Sequence, residues 1–288
     1  MKDRFGLGWR PELAAGILSN LDRIDFIEVI ADDYFDASKA KRRALRTLAT
    51  HVPVALHGIA LGLASSTPVE TKRLENTARL VDEIHPQFWS EHLAFVRAGG
   101  IEIGHLAAPP RTAATIDGAA NNLASAKAVV GAAPLMENVA SLIDPPGSAF
   151  TESEWIRQIL VASDCNLLLD LHNLHANSVN FGYDPQTFLE RIPPERISAI
   201  HLAGGRWIKA KTTDERRLLD DHLHDVPEAV YHLLEYIGAT TSHPLTVILE
   251  RDGRYPPIAA LLKQLERSRH ALQHGRAKRH TKVASEAA

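Results

Sequence analysis

Seven short stretches of this sequence run apolar and then stop on a carboxylate or an imidazole. The longest, NLLLDLHNLHANS over residues 166–178, passes from Leu167, Leu168 and Leu169 into Asp170, His172, Asn173, His175 and Asn177. FIEVIADD carries Glu28 and VALHG carries His57; FWSEHL carries Glu91 and His92, and PLMENV carries Glu137 and Asn138. ISAIHLAG carries His201 and LTVILERD carries Glu250. A short apolar run bounded by polar turn residues reads as a buried strand. An apolar interior does not accept a carboxylate or imidazole without a partner. Seven strands that each deliver such a group to their C-terminal end have their simplest shared partner in metal ions.

The candidate ligands are His57, His92, Glu137, Asp170, His201, Asp220, His222 and Glu250. Of these, His57, His92, Glu137, Asp170, His201 and Glu250 are also expected to carry catalysis. Nitrogen and oxygen donors suit iron, manganese or zinc rather than a thiolate-preferring ion. The donors outnumber what one ion takes and carboxylates bridge, so two or three ions about 3.5–4 Å apart fit the set. A single histidine at a strand end is more often a hydrogen-bonded core residue; the joint pattern points to metal. Asp220 and His222 come from LLDDHLHDVP, where Asp221, His224 and Asp225 compete and periodicity does not choose among them. Glu28, Glu91 and Asn138 are candidates for orienting ligands. For Glu28 and Glu91 an ion pair with a barrel arginine, such as Arg251, is the structural alternative. Asn173, His175 and Asn177 read as ligands or as donors to substrate. Trp9, Tyr34, Trp89 and Trp207 read as packing residues, and Cys165 as a small buried side chain.

These donors need a scaffold that brings strand ends together. Strands are expected near Phe5–Trp9, Asp25–Ile30, Val52–His57, Phe88–Ala94, Pro134–Val139, the 166–178 stretch, Ile197–Ala203 and Leu245–Glu250, alternating with helices. Eight βα units in one chain of 288 residues predict an α/β fold, a (β/α)₈ TIM barrel, whose sites lie at the C-terminal strand ends. An open doubly wound sheet would want a third glycine in FGLGWRPE. Segments 95–114 and 204–225 are expected as long loops, and Thr151 with Glu154 as a capping box. Residues 1–270 are expected to form one metal-binding domain and 271–288 a basic, disordered tail. The latter includes Arg276, Lys278, Arg279 and Lys282.

Composition narrows the classes. The formal net charge of −3 argues against nucleic acid as a partner. A single cysteine excludes an intrachain disulfide framework and a thiolate-rich zinc site. No 18-residue apolar span appears, so no membrane is expected, and the first residues lack the apolar core of a signal peptide, which predicts a cytoplasmic protein.

Taken together, GLGWRPE, DFIEVIADDYF, LHGIALGL, SEHLAF, MENVAS, LLLDLHNLHANS, IHLAGG, LDDHLHDVP and LERDG resemble the multinuclear non-haem iron-dependent oxidative enzymes. The methanobactin-synthesis iron oxidase is a type of this bacterial family, and the resemblance runs from about Gly6 to Pro257. It implies a xylose-isomerase-like barrel with two or three irons, mixed Fe(II) and Fe(III), and O₂ as co-substrate. By motif, His57, His92, Glu137, Asp170, His201, Asp220, His222 and Glu250 match ligand positions, with Asn138 and Asn173 completing the cluster and His175 flanking it. The Asp-x-His register of the family favours Asp220 and His222 over their neighbours. The implied activity is oxidation of cysteine, or another residue, in a ribosomally synthesised precursor peptide, with a leader-binding partner protein. Four places depart from the family pattern. Gly205 stands where many members have a second histidine, LHNLH replaces Asn and Tyr, ADDY replaces Glu-Asn-Tyr, and GHLAAPPRT is unlike the usual loop.

Two other classes use the same residues. A divalent-metal isomerase, or a phosphodiesterase resembling endonuclease IV, would hold zinc, manganese or magnesium and need no O₂. A non-catalytic binding or maturation protein would keep its cellular role after Glu137 or His201 is replaced by Ala.

Overall fold

The computed structural model describes residues 2–209 and 215–286. Its strands are β1 (Arg4–Gly8), β2 (Phe26–Ile30), β3 (Val54–His57), β4 (Trp89–His92), β5 (Phe95–Ala98), β6 (Ile101–Ala107), β7 (Leu135–Glu137), β8 (Asn166–Asp170), β9 (Ile197–Leu202), β10 (Gly205–Lys209), β11 (Arg216–Asp220) and β12 (Thr246–Leu249). The helices are α1 (Ala14–Leu18), α2 (Asp32–Phe35), α3 (Lys39–Ala49), α4 (Thr71–Ile84), α5 (Ala113–Val130), α6 (Glu152–Ser163), α7 (Leu171–Phe181), α8 (Pro185–Arg191), α9 (Glu228–Thr240) and α10 (Ile258–Glu286). Eight strands close into a parallel barrel in the order β1-β12-β9-β8-β7-β4-β3-β2, which is the expected (β/α)₈ architecture.

The period of two along a strand sorts the side chains into two environments. Ile27, Leu56, Met136, Leu169, Ile200 and Leu249 join the large core under the helices. Phe26, Ala55, Leu135, Leu168, Ala199 and Ile248 form a separate apolar cluster, one residue from each of six strands. Gly6 makes room for it: a Cβ there would stand 2.7 Å from the Phe26 ring. Two residues further along the same strands stand Glu28, His57, Glu137, Asp170, His201 and Glu250, all buried.

Both segments expected as long loops are antiparallel hairpins. β5 pairs with β6, and β10 pairs with β11. Residues 210–214 of the second segment lie outside the described residues. The capping box at Thr151 and Glu154 is present.

Helix α10 continues through the segment expected as a tail, to Glu286. Leu261, Leu265, Ser268, Leu272 and Gly275 are buried at alternating spacings of four and three, so the helical stripe does not stop at His270. Gly275 lies so close to α9 that a Cβ would stand 2.0 Å from the Glu235 carbonyl oxygen. Arg276 donates to Asp3 Oδ1 at 2.9 Å and to the His243 carbonyl at 2.7 Å. The Lys282 side chain and residues 287 and 288 lie outside the described residues. Among the described residues, no helix is long and apolar enough to cross a membrane.

Candidate metal centre

The polar layer converges on Glu137. Its Oε2 lies 3.3 Å from both His57 Nε2 and His92 Nε2, and its Oε1 lies 3.1 Å from His201 Nδ1. His201 Nδ1 is also 3.0 Å from Glu250 Oε2. Three sets of donors lie close enough to share an ion: His57, His92 and Glu137; His57, His201 and Glu250; and Glu137, Asp170, His201 and Glu250. Two donors bound at about 2.1 Å and at right angles stand about 3 Å apart, so these spacings fit neighbouring ligands on one ion as well as they fit hydrogen bonds.

Asp170 is both the last residue of β8 and the N-cap of α7. Its Oδ1 accepts from the Asn173 N–H at 2.6 Å, which ties one oxygen to the helix start. Asn138 fixes the strand end through both ends of its amide, accepting from the Asp170 N–H at 2.8 Å and donating to the Asp170 carbonyl at 3.0 Å. Asn173 Nδ2 donates to the Asn138 carbonyl. The residue pair Asp220 and His222 arrives on β11 and the turn after it, with His222 Nε2 2.9 Å from Asp220 Oδ2. His222 holds φ = 53°, in the left-handed region that a non-glycine residue enters only when its surroundings impose it.

Each of the four histidines presents one ring nitrogen to these carboxylates and anchors the other. His57 Nδ1 meets Ser90 Oγ at 2.8 Å, and His92 Nδ1 meets the Gly58 carbonyl at 3.1 Å. His201 Nε2 meets Glu28 Oε1 at 3.1 Å, and His222 Nδ1 meets Asp252 Oδ2 at 3.0 Å. Metal-binding histidines characteristically have such a partner, because it fixes tautomer and ring orientation.

Five buried atoms in this region make no aligned hydrogen bond: Glu137 Oε2, Glu250 Oε2 and His222 Nε2, which meet only the charged groups just described, and Asp170 Oδ2 and Asn173 Oδ1, which have no partner at all. Buried polar atoms without a partner are rare and costly, and two of them beside a cluster of carboxylates and imidazoles fit a site that takes a cation. Proton positions fill part of that role. Burial drives the His57 imidazolium well below its ordinary range, helped by His92 and His201. Burial works the same way on His92, His201 and His222, but the surrounding carboxylates outweigh it. His92 is pushed up to about 9 by Glu137 and Glu91, and the other two are held well above their usual value. Burial, then the Glu137 charge, raises Asp170 well above the carboxylate range. Burial works against Glu250 ionising, but His201 and His222 hold it well below its usual value.

Other expected residues take different places. Asn177 does not join these donors: it accepts from the Ser141 N–H at 2.8 Å and donates to the Val139 carbonyl at 2.9 Å, clamping the chain that follows Asn138. His175 stands edge-on to His172, ring centroids 6.3 Å apart. Glu28 orients His201 rather than pairing with an arginine, and Glu91 accepts from the Leu61 and His92 N–H groups. Arg251 pairs instead with Asp225. Asp221 and His224 pair with each other, which leaves Asp220 and His222 facing the centre. Trp9, Tyr34 and Trp89 pack against or within the core, but Trp207 is 49% exposed, with Arg216 over its ring. Cys165 is buried and its thiol pKa is raised by that burial. The contacts of Ser90, Asp252 and His172 depend on distant partners that only the folded chain brings to them. A cavity of about 210 Å³ opens onto the centre, lined by His92, Glu137, Asn173, Asp220, His222, Leu106 of β6 and Leu218 of β11.

Comparison with solved structures places the fold. Endonuclease IV from Thermus thermophilus superposes with a TM-score of 0.59 at 14% identity over 93% of this chain and 99% of that one. An L-ribulose 3-epimerase gives 0.60 at 14% identity over 98% of both chains. A xylose isomerase domain protein from Planctomyces limnophilus gives 0.58 at 13% identity over 98% of this chain and all of that one. At such identities the likeness is one of fold, a xylose-isomerase-like TIM barrel. Among relatives, a "UPF0276 protein" of Rhizorhabdus wittichii is 34% identical over 272 residues, 92% of this chain and 93% of that protein. One from Caulobacter vibrioides is 30% identical over 95% of this chain and 96% of its own length. One from Streptomyces avermitilis is 34% identical over 93% of this chain, which spans only 55% of that longer protein. The family model described as "RiPP precursor modification enzyme MbnB/TglH/ChrH" matches residues 4–273, so the chain belongs to that family of precursor-peptide-modifying enzymes.

Proposed function

We propose that this chain is an O₂-dependent multinuclear iron oxidase that modifies a residue, cysteine first, of a ribosomally synthesised precursor peptide. The observation that carries the reading is the convergence of His57, His92, Glu137, Asp170, His201 and Glu250 into three donor sets close enough to share an ion, with Asp170 Oδ2 and Asn173 Oδ1 unpartnered beside them. His57, His92 and Glu137 would hold one iron, and Asp170, His201 and Glu250 a second, with Glu137 shared between them. Asp220, His222 and Asn173 would hold a third. Bound iron supplies the O₂ activation and the electron transfer.

The chain's own residues supply position and shelter. Ser90, Gly58, Glu28 and Asp252 hold the imidazoles in register, and Asn138 fixes the Asp170 strand end. Leu106 and Leu218 form apolar walls of the cavity. A peptide side chain would enter through the cavity of about 210 Å³ that opens onto the centre. Leader recognition would fall to a separate partner protein.

The test loads the metal-free protein with ferrous iron under argon and adds cysteine-bearing candidate precursor peptides, each with and without a candidate leader-binding protein. The expected result is a mass change of the peptide that needs O₂ and is lost when the cysteine is replaced by serine. No O₂-dependent change with iron, together with turnover of a sugar or phosphodiester by the zinc- or manganese-loaded protein, would overturn the reading.

A further inference from the structure

Most donors of the centre stand on barrel strands, fixed by neighbours on both sides. The Asp220–His222 arm stands on a two-stranded hairpin outside the barrel order. Something must therefore set its position, and α7 makes the contacts that do so. Asn180 grips the peptide of Leu218 from both ends, accepting from its N–H at 2.7 Å and donating to its carbonyl at 3.0 Å. Two turns earlier on the same helix, His172, only 1% exposed, places Nδ1 2.7 Å from Asp220 Oδ1. Asp220 Oδ2 is then the oxygen left facing His222 Nε2.

His172 occupies its place because Gly205 leaves it open. Gly205 is the register partner of Asp220 across the hairpin. A Cβ at Gly205 would stand 2.6 Å from His172 Cε1 and 2.1 Å from the Leu219 carbonyl oxygen. Any side chain there would have to displace the imidazole or part the hairpin.

We propose that His172 is the positioning residue of the Asp220–His222 arm. Its Nδ1–H engages one carboxylate oxygen of Asp220, leaves the other as a one-oxygen metal donor, and so determines whether the ion at this arm is retained. Gly205 supplies the space that lets it do so. The inference rests on the reading that the centre holds more than one ion. Partners of this kind typically change metal affinity by about 10–100-fold.

Leucine and asparagine are close in size, but only asparagine places an N–H donor near the position of histidine Nδ1, so the test compares His172→Leu with His172→Asn. Wild type and both variants are loaded anaerobically with ferrous iron, dialysed, and read for iron per folded chain and for Mössbauer signature, with circular dichroism verifying the fold. The expected result is loss of one ion and its spectral component in His172→Leu, with retention in His172→Asn. Gly205→Ala should lose the same ion. Leucine and asparagine variants that match each other, whether both keep the wild-type complement or both lose an ion, would overturn the proposal while leaving the multi-ion reading intact. A wild type that holds at most one ion would overturn both. If His172→Leu fails to fold, iron content of His172→Asn equal to wild type, set against loss in Gly205→Ala, supports the role, and equal content in all three overturns it.

Discussion

Two layers of side chains fill the same barrel, about 6–7 Å apart along the same strands, and they obey opposite rules. The lower layer of Phe26, Ala55, Leu135, Leu168, Ala199 and Ile248 is apolar and complete, with Gly6 giving way so that the Phe26 ring closes the packing. The upper layer of Glu28, His57, Glu137, Asp170, His201 and Glu250 is equally buried, yet three of its carboxylate oxygens make no aligned hydrogen bond. The difference teaches that burial alone does not tell a core from a site. Shape complementarity defines the first layer, and unfinished electrostatics the second. A substitution below should therefore be felt in stability, and one above in metal content.

The sharpest way to break this contrast is at Glu137, which touches three histidines. Glu137→Ala should lose bound iron and reduce peptide oxidation to background, while its metal-free melting temperature falls less than that of a lower-layer variant. Leu168→Ala should show the converse. Its denaturation free energy should drop by about 2–5 kcal/mol, the usual cost of truncating a buried leucine, with iron per folded chain unchanged. An iron-free Leu168→Ala, or an iron-replete Glu137→Ala, would erase the distinction between the layers. Glu28→Gln should act more mildly, weakening iron retention by about 10–100-fold in a competition with a chelator, because Glu28 orients His201 without facing Glu137.

A smaller effect belongs outside both layers. Burial lifts the Glu152 carboxyl, hydrogen-bonded to Asn177 and Tyr183, from about 4.5 to about 7. The folded state therefore binds this proton more tightly than the unfolded state. Its contribution to stability is present below pH 4.5 and is lost as pH rises towards 7. Melting curves of metal-free wild type and Glu152→Gln should diverge between pH 5 and pH 8, with wild type losing more. Parallel curves would show that Glu152 titrates normally.

Much of this was legible in the sequence for one physical reason. A strand whose interior face changes from apolar to ligating over two residues writes that change directly into the chain, as in FIEVI, LME, LLD and ILE. Features that depend on distant partners were not legible. The hairpin of β5 and β6 turns on Gly99 and Gly100, at φ of 57° and 78°. That Gly-Gly pair between two runs is a hairpin signal which the polar flanks obscured. Helix α7 hides because Asn173, Asn177 and Asn180 are buried beside Leu171 and Leu174, so its inward face mixes polar with apolar residues. The helical continuation past His270 hides for a related reason. Its stripe passes through Ser268 and Gly275, small residues that mark close packing against α9 rather than hydrophobicity. The anchoring of His222 by Asp252 needed the closed barrel to bring β11 and the end of β12 together.

The central claim is that the upper layer is a multi-iron site, and the most direct measurement is metal content with Mössbauer spectroscopy on protein produced with isotopically enriched iron. Two or more irons per chain, with ferrous and ferric components together, is the predicted result. Zinc or manganese at full occupancy, with no iron taken up even after anaerobic loading, would contradict it.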